Sequence, residues 1–407
     1  MFGIYIHIPF CEKKCSYCDF YSIERTERID AFVETLLTEI DLRTEASQKL
    51  PSSTSVFFGG GTPSLLPPDA IARIFEAISR RCEIAPDAEI TMECNPGTIT
   101  LQSLQGYRSA GVNRLSFGVQ SFHEPELAFL ERIHSPDEAR TAVRLARAAG
   151  FGNVNIDLMF ALPPQTPASW RETLREAVAL ETDHISAYSL IYEEGTPLFS
   201  MLSRGEVIPT NEESDAGMYA EAQEFLAKHG FIQYEVSNFA HAGRECRHNL
   251  TYWRGEEYLA FGPSAHGYLD STRYWNYRNL ARYSEAVKRG ALPVANNEQL
   301  GRAEQMFERA FLELRAQGIR LEEFIRDFGV DVSAALGAEG AMWREKGLAE
   351  LRGGRLSLTA AGYGLCDELT LRMITALESK TGNSWEQTAA NSFEIYLRVL
   401  EQYHSIS

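Results

Sequence analysis

The stretch Gly3-Ile-Tyr-Ile-His-Ile-Pro-Phe-Cys11-Glu-Lys-Lys-Cys15-Ser-Tyr-Cys18 decides how the rest of the chain is read. From Gly3 to Ile8, β-branched and aromatic residues recur at alternate positions, the pattern of a short strand, and Pro9 ends it by removing a backbone donor. Cys11, Cys15 and Cys18 therefore stand on a loop just past a strand's C-terminal end. A disulfide is a poor account of them, because three is odd, the spacing is tight and the start of the chain carries no export pattern. Structural zinc wants four ligands, usually in paired C-x2-C units, and no second pair exists. Iron–sulfur clusters normally take four cysteines, so a cluster held by three would keep one iron open for a substrate or cofactor. Three buried structural cysteines are the bland alternative.

The 407 residues allow one large domain and a smaller one. No apolar run approaches the length needed to cross a bilayer, so a cytoplasmic location is expected, in which the thiols stay reduced. A formal charge of −17, from 39 basic and 56 acidic residues, argues against nonspecific nucleic-acid binding while allowing a local basic patch or peripheral membrane association. No solenoid repeat or low-complexity tract is present.

Strand-like and helix-like segments alternate to about residue 190. Helical spacing over residues 29–42, 68–80, 101–110, 124–132, 136–149 and 167–180 separates strands near residues 55–58, 89–93, 114–118, 153–157 and 184–188. Six strand–helix units predict an α/β fold with a parallel sheet and right-handed crossovers, a partial (β/α)6 barrel rather than a closed eight-stranded one. Chemistry in such folds gathers where strands end, and the cysteine loop, Gly59-Gly-Gly-Thr-Pro63, Glu93, Gln120 and Asp157 all fall there. Further on, residues 211–229 are helical in spacing and residues 233–283 are rich in Tyr, Trp, His, Asn and Gly. Helices over 302–317, 321–328 and 340–346, then a hairpin around Gly353-Gly354, predict a smaller, mostly helical, winged-helix-like C-terminal domain suited to protein docking. The expected organisation is a barrel over residues 1–200, a capping segment over 201–290, a C-terminal domain over 291–376 and a tail over 377–407 to which no role is assigned.

The glycine run reads either as a tight turn or as a device that exposes N–H groups and leaves space for a ligand; a phosphate loop would need a Lys-Ser/Thr pair behind it, which is absent. Glu93, at a strand end, is read as a carboxylate facing the barrel mouth rather than a solvated acid, and Asp157 needs a partner, for which ribose hydroxyls are suitable. His248 is a lone histidine, more often structural than a ligand, and Tyr252 and Trp253 suit an ordinary core as well as a planar apolar ligand.

The C-x3-C-x2-C spacing resembles the signature of the radical S-adenosylmethionine (SAM) superfamily, in which three cysteines hold a [4Fe-4S] cluster whose open iron is chelated by SAM. The likeness narrows with Tyr5-Ile-His-Ile-Pro-Phe-Cys11, Gly59 to Pro63, Gly118-Val-Gln-Ser-Phe122, Arg132, Ile156-Asp-Leu158 and Leu162-Pro163, which together resemble the oxygen-independent coproporphyrinogen dehydrogenase family across nearly the whole barrel. By that resemblance Cys11, Cys15 and Cys18 are the cluster ligands and Tyr5, Gly60 and Glu93 touch the cluster-bound SAM, while Tyr17, Gly61, Thr62, Gln120, Arg132 and Asp157 match the lining of a second SAM site. Two departures point to a heme-chaperone branch. Phe20 stands where the dehydrogenases carry another cysteine, and the chain begins almost directly on its first strand, where they carry an extension. His248-Asn-Leu-Thr-Tyr-Trp253 matches that branch's His-Asn-x-x-Tyr-Trp signature, and the resemblance implies His248 as a ligand of heme iron with Tyr252 and Trp253 against the porphyrin. The resemblance implies a protein without an assigned catalytic residue that binds heme and delivers it to respiratory-chain hemoproteins at the membrane surface; whether it works as a homodimer is open. The alternatives are a dehydrogenase that decarboxylates propionates to vinyl groups and an interaction protein with a vestigial cluster.

Overall fold

The computed structural model describes residues 1–46 and 50–382. Its centre is a run of six parallel strands in chain order, β1 (Gly3–Ile8), β2 (Ser53–Gly60), β3 (Ile84–Cys94), β4 (Arg114–Gln120), β5 (Val154–Phe160) and β6 (His184–Ser189). Crossover helices α1 (Ile29–Ala46), α2 (Pro68–Arg81), α3 (Leu101–Ser109), α4 (Glu124–Phe129), α5 (Pro136–Ala148) and α6 (Pro167–Ala179) link them. Local chemistry sets the helix starts: Ser135 accepts from the Glu138 N–H while Glu138 accepts from the Ser135 N–H, and Thr166 and Ser169 repeat the device, each with proline in the first helical position.

Each strand is apolar on one parity and polar on the other. Ile4, Ile6, Ile8, Val56, Phe58, Ile90, Met92, Leu115, Phe117, Val119, Ile156, Leu158 and Ile185 are buried in one core with helix residues such as Phe32, Ile71, Ile74, Val143 and Trp170. Full burial of such a side chain contributes about 1.5–3 kcal/mol, which fixes the register, since a one-residue slip would turn every one of them inward. The other parity, Tyr5, His7, Ser55, Glu89, Glu93, Ser116, Gln120, Asn155, Asp157, Ser186 and Tyr188, is left to the concave face.

The sheet extends beyond the six strands. On its β6 edge lie β7 (Ile232–Gln233) and β8 (Asn238–Ala240), after α7 (Pro197–Ser203) and α8 (Glu212–Lys228). Following α9 (Arg247–Trp253), β9 (Tyr258–Phe261) pairs parallel with β1, and β10 (His266–Leu269), β11 (Thr272–Asn276) and β12 (Val294–Gln299) follow antiparallel, with α10 (Leu280–Lys288) before the last. The result is one open sheet of twelve strands. Sequence patterning missed β9 to β12 because they are short and the β10–β11 hairpin turns on Asp270-Ser271, both at positive φ, without a glycine signal.

The C-terminal part comprises α11 (Arg302–Leu314), β13 (Ile319–Arg320), α12 (Leu321–Phe328), α13 (Val332–Glu345), the hairpin β14 (Ala349–Arg352) and β15 (Arg355–Leu358), α14 (Ala360–Tyr363) and α15 (Cys366–Thr381). Gly353 and Gly354 form the hairpin turn, as the sequence predicts. Its core of Phe307, Phe311, Trp343 and Met373 takes in Tyr252, Trp253 and Tyr258 from the barrel side. Most of the expected tail lies outside the described residues. No helix among the described residues is long and apolar enough to cross a membrane.

Candidate functional site

A cavity of about 1560 Å3, its open mouth included, lies against the C-terminal ends of the six strands. Its wall includes Cys11, Cys15, Cys18, Tyr17, Gly60, Gly61, Thr62, Glu93, Gln120, Arg132 and Asp157. Of the residues predicted from sequence, these are the ones the fold brings together; Tyr5 stands just behind, its hydroxyl on His7 Nδ1 at 3.1 Å.

The cysteine loop is tied at its base by the Phe10–Ile23 bridge, with Cys11 N–H donating to the Ile23 carbonyl at 3.1 Å and Ile23 N–H to that of Pro9 at 2.8 Å. Buried His7 donates from Nε2 to the Tyr21 carbonyl at 2.8 Å, and burial holds its pKa down to about 4, so it stays neutral and the tie persists at physiological pH. Among the described residues no three His, Cys, Asp or Glu side chains converge as ligands of a single ion would. The thiols also have donors aimed at them: Thr62 Oγ1 lies 3.6 Å from Cys11 Sγ, and Arg132 Nη1 lies 3.6 Å from Cys15 Sγ. Burial pushes the Cys11 thiol up and that of Cys18 up to about 12, so without metal they hold their protons. Donors that stabilise thiolate, beside thiols otherwise kept neutral, are the chemistry of a metal-ligating set.

The glycine run is packed against its neighbours. Its N–H groups are not exposed: Gly60 donates to Glu93 Oε2 at 3.1 Å, Gly61 to the Ile8 carbonyl at 2.8 Å and Thr62 to that of Phe10 at 2.7 Å. The space saved by the missing side chains is filled by protein, since a Cβ on Gly60, at φ +109°, would stand 2.6 Å from the His7 ring and one on Gly61 2.6 Å from the Phe10 carbonyl oxygen. The glycines let β2 and the cysteine loop pass in contact.

Glu93 lines the cavity between that run and Asp157. Burial, then the Asp157 charge, pushes its carboxyl up to about 8, against the Gly60 N–H and the Arg114 cation. Asp157 is also raised by burial, and is held by Asn155 Nδ2 at 2.7 Å and Ser116 Oγ at 3.2 Å. Asn155 in turn accepts from His184 Nδ1 at 2.6 Å, and His184 Nε2 accepts from Tyr234. Gln120 sits at φ 66° after a register shift in β4, and its Oε1 accepts from Tyr188 at 2.8 Å. A non-glycine residue in the left-handed region costs about 1 kcal/mol or more, and here the cost aims the amide into the cavity. Arg114, Ser116, Asn155, Ser186 and Tyr188 also line it and were missed. Their signal was available, since each lies an even number of positions from Gln120 or Asp157 or on the matching parity of β6.

His248 is placed elsewhere. It is fully buried on the concave face, where the N-terminus of α9 is capped by Glu89. Its Nδ1 lies 2.9 Å from Ser55 Oγ, its Nε2 2.8 Å from the Tyr252 hydroxyl, and its ring stacks on Phe57 at 5.0 Å. The expectation that this imidazole ligates heme iron is thereby corrected: both nitrogens are committed inside the protein, and burial keeps the ring neutral, its pKa lowered to about 3. Tyr252 and Trp253 face away from the cysteine cavity toward the C-terminal core.

Residues 5–177 match the Radical SAM superfamily and residues 300–365 the HemN C-terminal domain. The heme chaperone HemW of Bacillus subtilis is 35% identical over 373 residues, covering 91% of this chain and 98% of its own, and that of Mycobacterium tuberculosis is 36% identical over 387 residues, covering 92% and 95%. This chain belongs to the HemW family. The HemW of Escherichia coli is 42% identical over 267 residues, 65% of this chain and 69% of its own. The coproporphyrinogen III oxidase (HemN) of Escherichia coli superposes with a TM-score of 0.78 over 91% of this chain and 89% of its own at 23% identity, a likeness of fold. HemW membership ranks above the oxidase alternative, and the radical SAM barrel with its appended HemN-type domain is the predicted fold.

Proposed function

We propose that this chain is a heme chaperone, which binds heme and passes it to respiratory-chain hemoproteins on the cytoplasmic side of a membrane with which it associates peripherally. The observation that carries this is the 35% identity to the Bacillus subtilis heme chaperone over 98% of that protein. Phe20, which lines the cavity beside Cys18, supports the same branch.

In this proposal Cys11, Cys15 and Cys18 hold a [4Fe-4S] cluster, and Tyr5, Gly60 and Glu93 flank one SAM. When bound, such a cluster supplies an electron to SAM through its open iron. The protein's part is to hold and orient. Thr62 and Arg132 direct their donors at the Cys11 and Cys15 sulfurs, and Gly61 is packed against Phe10, so these three support the cluster loop rather than a second SAM. Asp157, preorganised by Asn155 and Ser116, is the acceptor for ribose hydroxyls. Burial and the Asp157 charge hold the Glu93 carboxyl up to about 8, and pairing with the SAM ammonium would favour its carboxylate, the displaced proton leaving to solvent.

Anaerobic incubation of the reconstituted protein with SAM, reductant and coproporphyrinogen, with hemin titrated in parallel, tests this. Hemin binding without vinyl-bearing product is expected. Sustained protoporphyrinogen formation would instead make the chain a dehydrogenase.

A further inference from the structure

A second cavity, about 1430 Å3 with its mouth included, lies where α9 meets the C-terminal domain. Its wall carries Tyr252, Trp253, Tyr258, Tyr268 and Phe328 together with six arginines and five acidic residues. Four of the six are matched by carboxylates: Arg273 with Glu298 and Glu308, Arg309 with Glu313 and Asp327, Arg326 with Asp327, and Arg320 with Glu323. A further acid, Glu256, is engaged by the Met1 amino group at 2.6 Å.

Arg254 and Arg355 are different. Arg254 donates from Nη2 to Gln317 Oε1 at 2.8 Å and Arg355 from Nη1 to the Gln317 carbonyl at 3.1 Å, so two guanidiniums from α9's end and from β15 meet on one neutral residue. Neither has a carboxylate within ion-pair distance among the described residues. Burial, then the neighbouring charges of Arg320 and Arg254, outweigh Glu313 and Glu323 and hold Arg355 below the ordinary guanidinium value, a balance that an anion bound between Arg254 and Arg355 would shift back toward the cation. Planar forks of this kind pair with carboxylates through two parallel hydrogen bonds. A flat apolar body would rest on the aromatic side chains next to them.

We propose that this cavity is a binding site for a flat aromatic dicarboxylate, with Arg254 and Arg355 pairing its carboxylates and the aromatic wall around Trp253 and Tyr268 taking its ring. Resting on the heme-chaperone reading above, the ligand is heme and the two arginines take its propionates. His248 then serves as a support, since its Nε2 holds the hydroxyl of Tyr252 at the boundary between this cavity and the barrel.

The test titrates hemin and hemin dimethyl ester, which lacks free carboxylates, into the cluster-loaded wild type, R254A/R355A and R254K/R355K, following the Soret band. Wild type is expected to bind the ester about tenfold or more weakly than hemin, as loss of charge-assisted hydrogen bonds implies. The double alanine variant should bind both ligands alike, at the affinity wild type shows for the ester, and the lysine variant should recover part of the preference. Unchanged cluster absorption and thermal unfolding establish that the variants fold; if they do not fold, the ester comparison in wild type decides alone. Equal wild-type affinity for hemin and ester, or wild-type hemin affinity in the alanine variant, would overturn the site and leave the chaperone reading standing. Absence of hemin binding in wild type would end both.

Discussion

In the cavity at the strand ends, the polar side chains that β3 to β6 supply, such as Glu93, Ser116, Asn155, Asp157 and Ser186, come from strand positions of one parity, and their hydrogen bonds run on from strand to strand, as in the chain from Asp157 through Asn155 and His184 to Tyr234. The cavity beside α9 is assembled instead from a short helix, a hairpin strand and the C-terminal domain, and it leaves Arg254 and Arg355 meeting on a neutral glutamine. Backbone periodicity can satisfy charges by repetition, because neighbouring strands present the same face at the same height. Docking of separate elements has no such regularity, so surplus charge persists there unless a ligand takes it.

The largest expected effect would break the first half of this contrast. Replacing any of Cys11, Cys15 or Cys18 by alanine should abolish or strongly deplete the cluster, read as iron and sulfide content and visible absorption, whereas Cys82 and Cys366 variants should retain it. A full cluster in the triple variant would mean that the barrel cavity is not a metal site.

Next in size is His248→Ala. It removes a fully buried ring and strands Ser55 Oγ and the Tyr252 hydroxyl, so a loss of about 2–4 kcal/mol in unfolding free energy is expected. The Soret position of bound hemin should stay unchanged; a shifted Soret band with unchanged stability would return this imidazole to the iron and dissolve the boundary drawn between the two cavities.

Glu93→Gln should act through pH. Burial and the Asp157 charge push the wild-type carboxyl up to about 8 in the SAM-free fold from an ordinary value of 4.5, so the unfolded chain loses its proton first and stability falls as pH rises between those values. The glutamine variant lacks that loss. Its melting temperature should exceed that of wild type by a margin that widens from about pH 5 to about pH 8, while its SAM affinity falls. A margin that is flat with pH would show that this carboxyl is already ionised.

The smallest expected effect is that of Gln120→Gly, which relieves the left-handed backbone but gives up the Tyr188 hydrogen bond and adds chain entropy. Stability should change by no more than about 1 kcal/mol, and SAM affinity, measured by calorimetry, should drop if the strained amide belongs to the site.

Much of the barrel was legible. Alternation in Gly3–Ile8, the glycine run after residues 55–58 and the capping signals at Ser135 and Thr166 each act over a few residues, and the observed elements follow them closely. The cavity wall was legible in part: Glu93, Gln120 and Asp157 stood out at strand ends, whereas Ser116 and Asn155 looked like ordinary strand polar residues until β4 and β5 paired. The glycine run was recognised for its freedom, but what stands against it was not legible, because only the docking of β1 and the start of the cysteine loop brings His7 and Phe10 there.

The sequence by itself determined the order of strands and helices, the parity of each strand and the position of the cysteine loop, since these follow from local periodicity and from backbone chemistry that neighbours in the chain enforce. Tertiary structure alone decided that β9 joins β1 across some two hundred and fifty residues of chain, that His248 spends both nitrogens on Ser55 and Tyr252, and that Arg254 and Arg355 converge on Gln317. Those contacts join residues whose separation in sequence carries no period, so their partners are set by how whole elements dock to bury their apolar faces.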